Sequence, residues 1–293
     1  MKYSKIVIIY NPKSTGESKR AALDLQKELT RGLSKTKIEC LPTKYAGHAE
    51  ELACQISKEE KTPLIISSSG DGGYNEVING AMRAGNTDCT CAVLPAGNAN
   101  DHSRTMQDRP LADAIVKGKV THLDLIKLDI QSSQQERTIR YAHSYVGLGL
   151  TPIVATELNR HTLNAFKEAT IVLKTFFKYR PFKIRHDEQI LTLDSLLLAN
   201  INQMAKVLTL APVNRPDDGK FEVISFPSGR KWRLLKRLTK AAISHLENAP
   251  RTDKYIFTAI KKMPMQIDGE VMQLTANSIV TVSSIHKILK TVV

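Results

Sequence analysis

Short apolar runs alternate with segments of helical spacing through the first third of the chain, and this alternation is the strongest constraint on its fold. Runs of four or five apolar residues bounded by glycine, proline or polar residues are typical of buried strands, whereas an apolar residue at every third or fourth position is typical of a helix that faces a core. Four strand–helix units in succession predict an α/β fold, a parallel sheet flanked by helices with ligands at the carboxyl ends of the strands. The predicted strands are residues 6–10, 37–41, 64–67 and 89–94, and the predicted helices are 21–33, 49–57, 75–83 and the region of 99–106.

The pattern changes near residue 121 to longer β-rich runs, which predict antiparallel strands. At 293 residues the chain is long enough for two domains. We expect an α/β domain over residues 1–125 and a β-rich domain over 126–284, with residues 285–293 returning to the first. The predicted strands of the second domain are 123–130, 139–146, 190–200, 220–226, 256–261 and 278–283, with helices at 162–179 and 231–246.

The net charge of +13 indicates an anionic partner. Between residues 170 and 240 there are fourteen Lys or Arg against six Asp or Glu, so most of this charge lies in the second domain. The helical segment 230–246 carries Trp232 and leucines on one face and arginines on another. It fits either a helix that docks on anionic lipid or a helix that packs on its own domain and exposes a basic face. Nucleic acid is not expected as the partner, because aromatic residues are only 5% of the chain and no recognition motif is present.

Cysteine and histidine spacing excludes the common metal sites. Cys40, Cys54, Cys89 and Cys91 form no CxxC pair, and the histidines form no HExxH motif. No apolar stretch approaches the roughly 18 residues that a spanning helix needs. These features predict a cytoplasmic protein with reduced thiols, whose contact with a membrane is peripheral.

Three small polar loops follow predicted strands, and they carry the chemistry. They are residues 11–16, 70–76 and 95–101, and parallel strands bring them to one edge of the sheet. Glycines at 70, 72 and 73 allow the backbone to approach a phosphate, and the N–H groups of the following helix point toward it. Asp71 would repel a phosphate unless Mg²⁺ lay between them; the alternative is a turn in which Asp71 only caps a helix. The spacing fits neither a dinucleotide fingerprint nor a P-loop.

Five sequence blocks in order resemble the diacylglycerol kinase catalytic domain, which is shared with sphingosine kinases and bacterial lipid kinases. The resemblance spans nearly the whole chain. Its blocks are Asn11-Pro12-x-Ser14; Gly70-Asp71-Gly72 followed by Asn75-Glu76-Val77-Ile78-Asn79-Gly80; Leu94-Pro95-Ala96-Gly97-Asn98-Ala99-Asn100-Asp101; Ala211-Pro212 leading to Asp217-Asp218-Gly219; and Gln266-Ile267-Asp268-Gly269-Glu270, with Thr43 and Gly47-His48-Ala49 between the first two.

The resemblance implies a three-layer ATP-binding domain like that of phosphofructokinase or NAD kinase, then a β-sandwich that contributes the lipid site. Asp268 and Glu270 correspond to the carboxylates near the acceptor hydroxyl. A carboxylate there can align the hydroxyl and accept its proton. Asp-Gly between apolar strands is also a common hairpin turn. Mg²⁺ is expected with ATP, near Asp71. The residues expected at the nucleotide are Asn11, Pro12, Ser14, Thr15, Gly16, Thr43, Gly70, Asp71, Gly72, Gly73, Tyr74, Asn75, Glu76, Gly97, Asn98 and Asp101.

Three positions depart from the family pattern. Gly73 and Asn98 each stand where the family has a threonine, so a hydroxyl expected at the phosphates is missing. At the secondary metal site of the family, the matching positions are Val213, Pro216 and Asp218, and the first carboxylate is lost. One carboxylate and one carbonyl bind Mg²⁺ weakly, so we expect this site to be weak or absent.

These features together predict a kinase that uses ATP and Mg²⁺ to phosphorylate a lipid hydroxyl, such as that of diacylglycerol or a sphingoid base. Two alternatives remain at this point: a kinase for a soluble metabolite, like NAD kinase, or a non-catalytic regulatory protein that retains the fold. Whether the chain forms a homodimer is open.

Overall fold

The computed structural model describes residues 3–14, 17–97, 100–150, 152, 179–204, 208–209, 215–229 and 249–292. The helix predicted at 231–246 and nearly all of that predicted at 162–179 lie outside these residues, as do Thr15, Gly16, Asn98 and Val213. The described chain forms two compact units, residues 1–125 with 286–293 and residues 126–285. Its elements are β1 (Lys5–Tyr10), α1 (Ser18–Gly32), β2 (Lys37–Pro42), α2 (His48–Glu59), β3 (Pro63–Ser69), α3 (Asp71–Ala84), β4 (Thr90–Pro95), α4 (Asp101–Met106), α5 (Leu111–Lys117), β5 (Val120–Gln131), β6 (Arg137–Ala142), β7 (Tyr145–Gly149), β8 (Phe182–His186), β9 (Gln189–Ala199), β10 (Gln203–Met204), β11 (Leu208–Thr209), β12 (Phe221–Pro227), β13 (Arg251–Thr252), β14 (Lys254–Ala259), β15 (Met263–Ile267), β16 (Glu270–Leu274) and β17 (Ile279–Val292).

The first unit contains the predicted parallel sheet. Strands β1 to β4 pair in the order β4-β3-β1-β2, and every pairing among them is parallel. The central residues of β1, β3 and β4 are almost completely buried, as expected for strands that are covered on both faces, whereas the edge strand β2 is only partly buried. The α/β prediction is therefore confirmed.

One face of this sheet packs against α1 and α5. The cluster is built from strand side chains such as Ile8 and Ile66, from Leu25 and Leu29 of α1, and from Ile115 of α5. Helix α5 was not predicted, because its seven residues are too few to show a clear helical period.

The end of β17 belongs to the first unit. Thr291 pairs with Cys91 of β4 in parallel, and its hydroxyl lies 3.2 Å from that of Tyr74. Closer to the start of this segment, the Lys287 N–H donates to the buried carboxylate of Asp124 at 2.7 Å. These contacts fix the last strand beside the helix that follows the glycine loop.

The second unit is an antiparallel, β-rich structure. Strand β9 pairs with β7, β8 and β12, and β15 pairs with β7 and β16, all in antiparallel fashion. A single buried cluster joins these strands to β5, β14 and β17, and it includes Leu148, Leu196, Phe257 and Met265. Alternate residues of each strand face this cluster, which is the pattern expected of an antiparallel sheet with one face on the core.

The prediction of one strand over residues 139–146 is wrong. The structure has two strands, β6 and β7, with a break at His143 and Ser144. Apolar periodicity could not show the break, because its cause is a bond to a residue more than a hundred positions away, described below. Among the described residues, no helix is both long and apolar enough to cross a bilayer.

Candidate active site

The loops after β1, β3 and β4 meet at the carboxyl edge of the parallel sheet. The Ala96 N–H donates to the Ser69 carbonyl at 2.9 Å, and the Ser14 hydroxyl donates to the Ala96 carbonyl at 3.4 Å. A Cβ atom built on Gly97 would lie 2.3 Å from the Gly70 Cα, so only glycine fits where these two loops cross. The structure therefore brings together the three loops that the sequence placed at one edge.

Asn100 holds the turn at Gly97. Its side-chain oxygen accepts from the Gly97 N–H at 3.0 Å, and its amide donates to the Gly97 carbonyl at 2.9 Å. Asn100 has a positive φ of 53°, a conformation that asparagine tolerates better than most residues. Asn100 was not among the predicted site residues, although the Gly-x-x-Asn spacing of Gly97 and Asn100 was a signal for it.

Asp71 is the first residue of α3, but its carboxylate binds the start of α4. One oxygen accepts from the Asp101 N–H at 3.0 Å and the other from the His102 N–H at 3.1 Å. A carboxylate at a helix N-terminus satisfies N–H groups that have no partner within the helix. Asp71 thus acts as a cap, although for a different helix from the one it begins, and it remains partly exposed.

Glu76 also caps a neighbouring helix. Its two oxygens accept from the Gly47 N–H at 3.0 Å and the Ala49 N–H at 3.2 Å, at the start of α2. This bond explains why the Gly47-His48-Ala49 block accompanies the glycine loop in the sequence. The two acidic residues of the loop region therefore tie α3 to α2 and to α4.

The side chains of Tyr74 and Asn75 face the interior. Tyr74 is fully buried and its ring lies 5.1 Å from that of His102, while Asn75 accepts from the Asn79 amide. Any contact of Tyr74 with a nucleotide would have to come from its backbone. Gly72 and Gly73 are half-buried in the first turn of α3.

The loop after β1 is shaped by Asn11, whose side-chain oxygen accepts from the Lys13 N–H at 2.9 Å. Asn11 and Pro12 are exposed and Ser14 is half-buried. Thr43 follows β2, and its N–H donates to the Tyr10 carbonyl at 2.8 Å, which holds it beside the same edge. All predicted nucleotide residues that the structure describes therefore lie at this edge or directly beneath it.

This edge has the features of an anion site. Gly70 and Gly97 keep side chains away from the loop crossing, and the N–H groups that open α3 are oriented as donors for an anion. No cluster of three or more carboxylate, histidine or cysteine ligands occurs within the described part of the chain. Mg²⁺ that arrives with a nucleotide keeps phosphate and water ligands and needs only one or two carboxylates, and Asp71 is a half-buried carboxylate at this edge.

In the second unit, Asp268 and Gly269 form the two-residue turn between β15 and β16. Ile267 pairs with Glu270, and Asp268 and Gly269 have positive φ values of 46° and 96°, as a tight hairpin turn of type I′ requires. The turn predicted from Asp-Gly is therefore present.

The Asp268 carboxylate is fully buried and bound by three backbone N–H groups. It accepts from His143 at 2.7 Å and from Ser144 and Tyr145 at 2.9 Å each. These donors are the residues at which β6 ends and β7 begins, which explains why the predicted single strand is broken there. The His143 ring Nε2 lies 3.4 Å from the same carboxylate, and its Nδ1 lies 2.7 Å from the Ser144 hydroxyl.

Glu270 is exposed, in contrast to Asp268. The two predicted catalytic carboxylates therefore lie in different surroundings, one fixed by backbone donors and one in solvent. His143, Ser144 and Tyr145 were not predicted as site residues. They lie 123 to 125 positions from Asp268, and no local pattern in the sequence marks them.

Asp218, the carboxylate predicted for a weak metal site, is bound to an arginine. Arg251 donates to both of its oxygens, at 2.5 and 2.9 Å, and the Arg251 Nε lies 3.0 Å from the Glu222 carboxylate. Burial tends to raise the pKa of Asp218, but the hydrogen bonds and charge of Arg251 outweigh it and hold that pKa below its ordinary value. Burial raises the pKa of Glu222. Because both Asp218 oxygens already accept from Arg251, the described residues of this predicted site do not fit a secondary metal ion.

The comparisons with known proteins agree with this architecture. Residues 5–128 match the family model of the diacylglycerol kinase catalytic domain. A diacylglycerol kinase from Staphylococcus saprophyticus is 25% identical over 280 residues, which cover 90% of this chain and 88% of that protein. The crystal structure of a diacylglycerol kinase from Bacillus anthracis shares the fold with a TM-score of 0.73 at 18% identity, covering 100% of this chain and 97% of that one.

A more distant structure, yeast NADH kinase in complex with NADH, has a TM-score of 0.53 at 10% identity over 99% of this chain and 83% of that one. The fold of this chain is therefore also similar to that of an NADH kinase. The family predicted from the five sequence blocks is the one that the family model identifies. Residues 5–128 thus match the diacylglycerol kinase catalytic domain, and the similarity of the whole chain to proteins named diacylglycerol kinase supports the same family.

Proposed function

We propose that this protein is a lipid kinase that transfers the γ-phosphoryl group of ATP to a hydroxyl group of a lipid such as diacylglycerol or a sphingoid base. The observation that carries the proposal is the meeting of three loops at the carboxyl edge of the sheet, where Gly70 and Gly97 touch and the N–H groups of α3 begin. Backbone donors at such an edge suit a phosphate chain. The names of the relatives support a lipid as the acceptor.

In the proposed reaction, the lipid hydroxyl oxygen forms a bond to the γ-phosphorus while the bond from that phosphorus to the β,γ-bridging oxygen breaks. The hydroxyl proton passes to a carboxylate of the Asp268–Glu270 turn, and ADP and the lipid phosphate leave. Backbone N–H groups of the glycine loops hold the phosphates. Mg²⁺, when bound with ATP, neutralises part of the phosphate charge.

The two carboxylates of the turn have different proposed duties. Asp268 is held in one orientation by three N–H donors, and catalysis by a positioned base requires such a fixed geometry. Glu270 is exposed, so it is accessible to a substrate or to water. Single replacements, Asp268→Asn and Glu270→Gln, assign the proton acceptor through the pH dependence of kcat.

We also propose that the protein reaches its lipid by peripheral contact with the inner surface of a membrane. The net charge of +13, most of which lies between residues 170 and 240, favours anionic lipids. Vesicles that contain phosphatidylglycerol should therefore retain the protein at low salt and release it at high salt, because screening weakens such attraction. Equal binding to neutral vesicles would contradict this proposal.

A transfer assay tests the function. Purified protein is incubated with γ-labelled ATP, Mg²⁺ and mixed micelles of diacylglycerol or sphinganine, with NAD as a parallel acceptor. Label in a lipid that disappears in Asp268→Asn supports the proposal. Label in NAD alone would instead make the protein a soluble-metabolite kinase, and absence of both transfer and nucleotide binding would make it a non-catalytic member of the family.

A further inference from the structure

Ser69 and Gly73 occupy complementary positions at the glycine loop. Ser69 ends β3, and Gly73 lies in the first turn of α3. A Cβ atom built on Gly73 would lie 2.6 Å from the Ser69 hydroxyl oxygen and 2.7 Å from the Ser69 Cβ. These distances are too short for real contacts, so the Ser69 side chain fills the space that any side chain at position 73 would need.

The Ser69 hydroxyl is the outer member of a pair. It lies 2.7 Å from the Ser67 hydroxyl and donates to the Gly70 carbonyl at 2.9 Å. Ser67 is almost completely buried, whereas Ser69 is half-buried. The pair therefore ends at the surface of the loop, where a ligand can reach it.

The bond from Ser69 to Gly70 can be released at little cost. The Gly70 carbonyl also accepts from the Tyr74 N–H at 3.2 Å, which is the first bond of α3. If the Ser69 O–H turns toward a ligand oxygen, the Gly70 carbonyl keeps a donor and is not left unsatisfied. Ser67 continues to hold the Ser69 oxygen in place.

We propose that Ser69 supplies the hydroxyl that binds a phosphate oxygen of the nucleotide, in place of the side chain that is missing at Gly73. The loop thus keeps one hydroxyl beside the phosphates, carried by the end of the strand and not by the helix. Ser69 is a positioning residue, which orients the phosphates without taking part in bond making. This inference rests on the proposed function, because it requires a nucleoside triphosphate at this edge.

A set of variants tests whether the Ser69 hydroxyl takes the place of a side-chain hydroxyl at position 73. Ser69→Ala removes the hydroxyl but keeps the Cβ, Gly73→Thr places a second side chain in the occupied space, and the double variant Ser69→Gly with Gly73→Thr moves the hydroxyl to the helix. Ser57→Ala is the matched control, because its buried hydroxyl donates to the Cys89 sulfur at 3.1 Å, beside the amino end of β4. Calorimetry with a non-hydrolysable ATP analogue and Mg²⁺ gives Kd, and thermal unfolding gives Tm.

We expect Ser69→Ala to raise Kd about tenfold, the effect of losing one hydrogen bond to a charged group, with a Tm close to that of Ser57→Ala. Gly73→Thr alone should lower Tm and weaken binding, because its side chain collides with Ser69. The double variant should recover both quantities to near the wild-type values. Ser57→Ala should bind the analogue as the wild type does.

Two results would overturn the inference while the proposed function stands. One is a Kd for Ser69→Ala that equals the wild-type value. The other is a double variant whose Kd and Tm are no closer to the wild-type values than those of Gly73→Thr alone. A wild-type protein that binds no analogue and transfers no phosphate would instead overturn the proposed function, and the inference with it. Wild-type transfer activity is therefore measured first, so that the two failures are told apart.

Discussion

The glycine-loop edge of the first unit and the Asp268 turn of the second contain the same type of contact, with different consequences. In each, an aspartate carboxylate is fixed by backbone N–H groups from another part of the chain. Asp71 takes two such bonds, from residues 30 and 31 positions away, and stays partly exposed. Asp268 takes three, from residues 123 to 125 positions away, and is fully buried.

The difference shows how much structure depends on each carboxylate. Asp71 caps a helix of six residues, so its loss should disturb α4 and little else. Asp268 joins the β15–β16 hairpin to the break between β6 and β7. Its bonds hold these two backbone segments of the second unit against each other. When such a buried carboxylate is removed, the several N–H groups that donated to it lose their acceptor at once and are left unsatisfied.

Replacing Asp268 should therefore have the largest effect. We expect Asp268→Asn to lower kcat about a hundredfold or more, because the change affects the turn that carries both candidate proton acceptors, Asp268 and Glu270. It should also reduce the free energy of unfolding by about 1–3 kcal/mol, because the new amide directs a donor toward an N–H group. Lipid phosphate formation at saturating ATP gives kcat, and urea unfolding gives the stability.

The matched control is Asp187→Asn, which changes an exposed aspartate of the β8–β9 turn that also has a positive φ. This variant should keep wild-type kcat and stability, since asparagine tolerates that conformation. If Asp268→Asn unfolds and turns over as the wild type does, the buried carboxylate has neither of its assigned duties.

Replacing Asp71 should have a smaller and more local effect. We expect Asp71→Ala to cost about 1 kcal/mol of stability, the usual effect of losing a helix cap, and to raise the KM for ATP by disturbing the loop after β4. Hydrogen exchange should accelerate at the Asp101 and His102 amides while β3 stays protected. Asp113→Ala, in the first turn of α5, serves as the control and should leave KM unchanged. Faster exchange throughout the first unit would show that Asp71 supports more than α4.

The same contrast explains what the sequence could predict. The parallel sheet and the meeting of its loops follow from local apolar runs and from glycines, because parallel strands all carry their following loops to one edge. The turn at Asp268 was also predicted, because Asp-Gly suits two residues with positive φ. In both cases the signal lies within about ten residues.

The partners of the carboxylates could not be predicted in this way. Nothing near His143 in the sequence indicates that its N–H binds Asp268, and nothing near Asp71 indicates that it caps α4 instead of its own helix. Arg251 and Asp218 are likewise 33 positions apart. Such contacts depend on the assembled fold, and the break between β6 and β7 was missed for this reason.

The Arg251 cluster gives a third test, one that concerns stability alone. We expect Arg251→Met to reduce the free energy of unfolding by about 2 kcal/mol, between the values for exposed and buried ion pairs, because Asp218 and Glu222 then face each other without a cation. EDTA should leave the wild-type Tm unchanged, since the arginine already neutralises this site. Arg137→Met, which breaks the more exposed pair with Asp129, is the control and should cost less than about 1 kcal/mol. A wild-type Tm that falls with EDTA and rises with Mg²⁺ in the absence of nucleotide would contradict this account.

The smallest expected effect is the pH dependence of the same cluster. The pKa of Asp218 is lowered from 3.8 in the folded protein, so its contribution to stability is present above that value and is lost as the pH falls through the lowered one. Glu222 acts in the opposite sense, because burial raises its pKa and its ionisation opposes folding as the pH rises. With Glu222→Gln as the background, adding Asp218→Asn should cost about 1 kcal/mol near pH 7 and almost nothing near pH 2. Urea unfolding at both pH values measures the difference; a cost that is the same at both would mean that Asp218 acts through packing, and that its charge is not what holds Arg251.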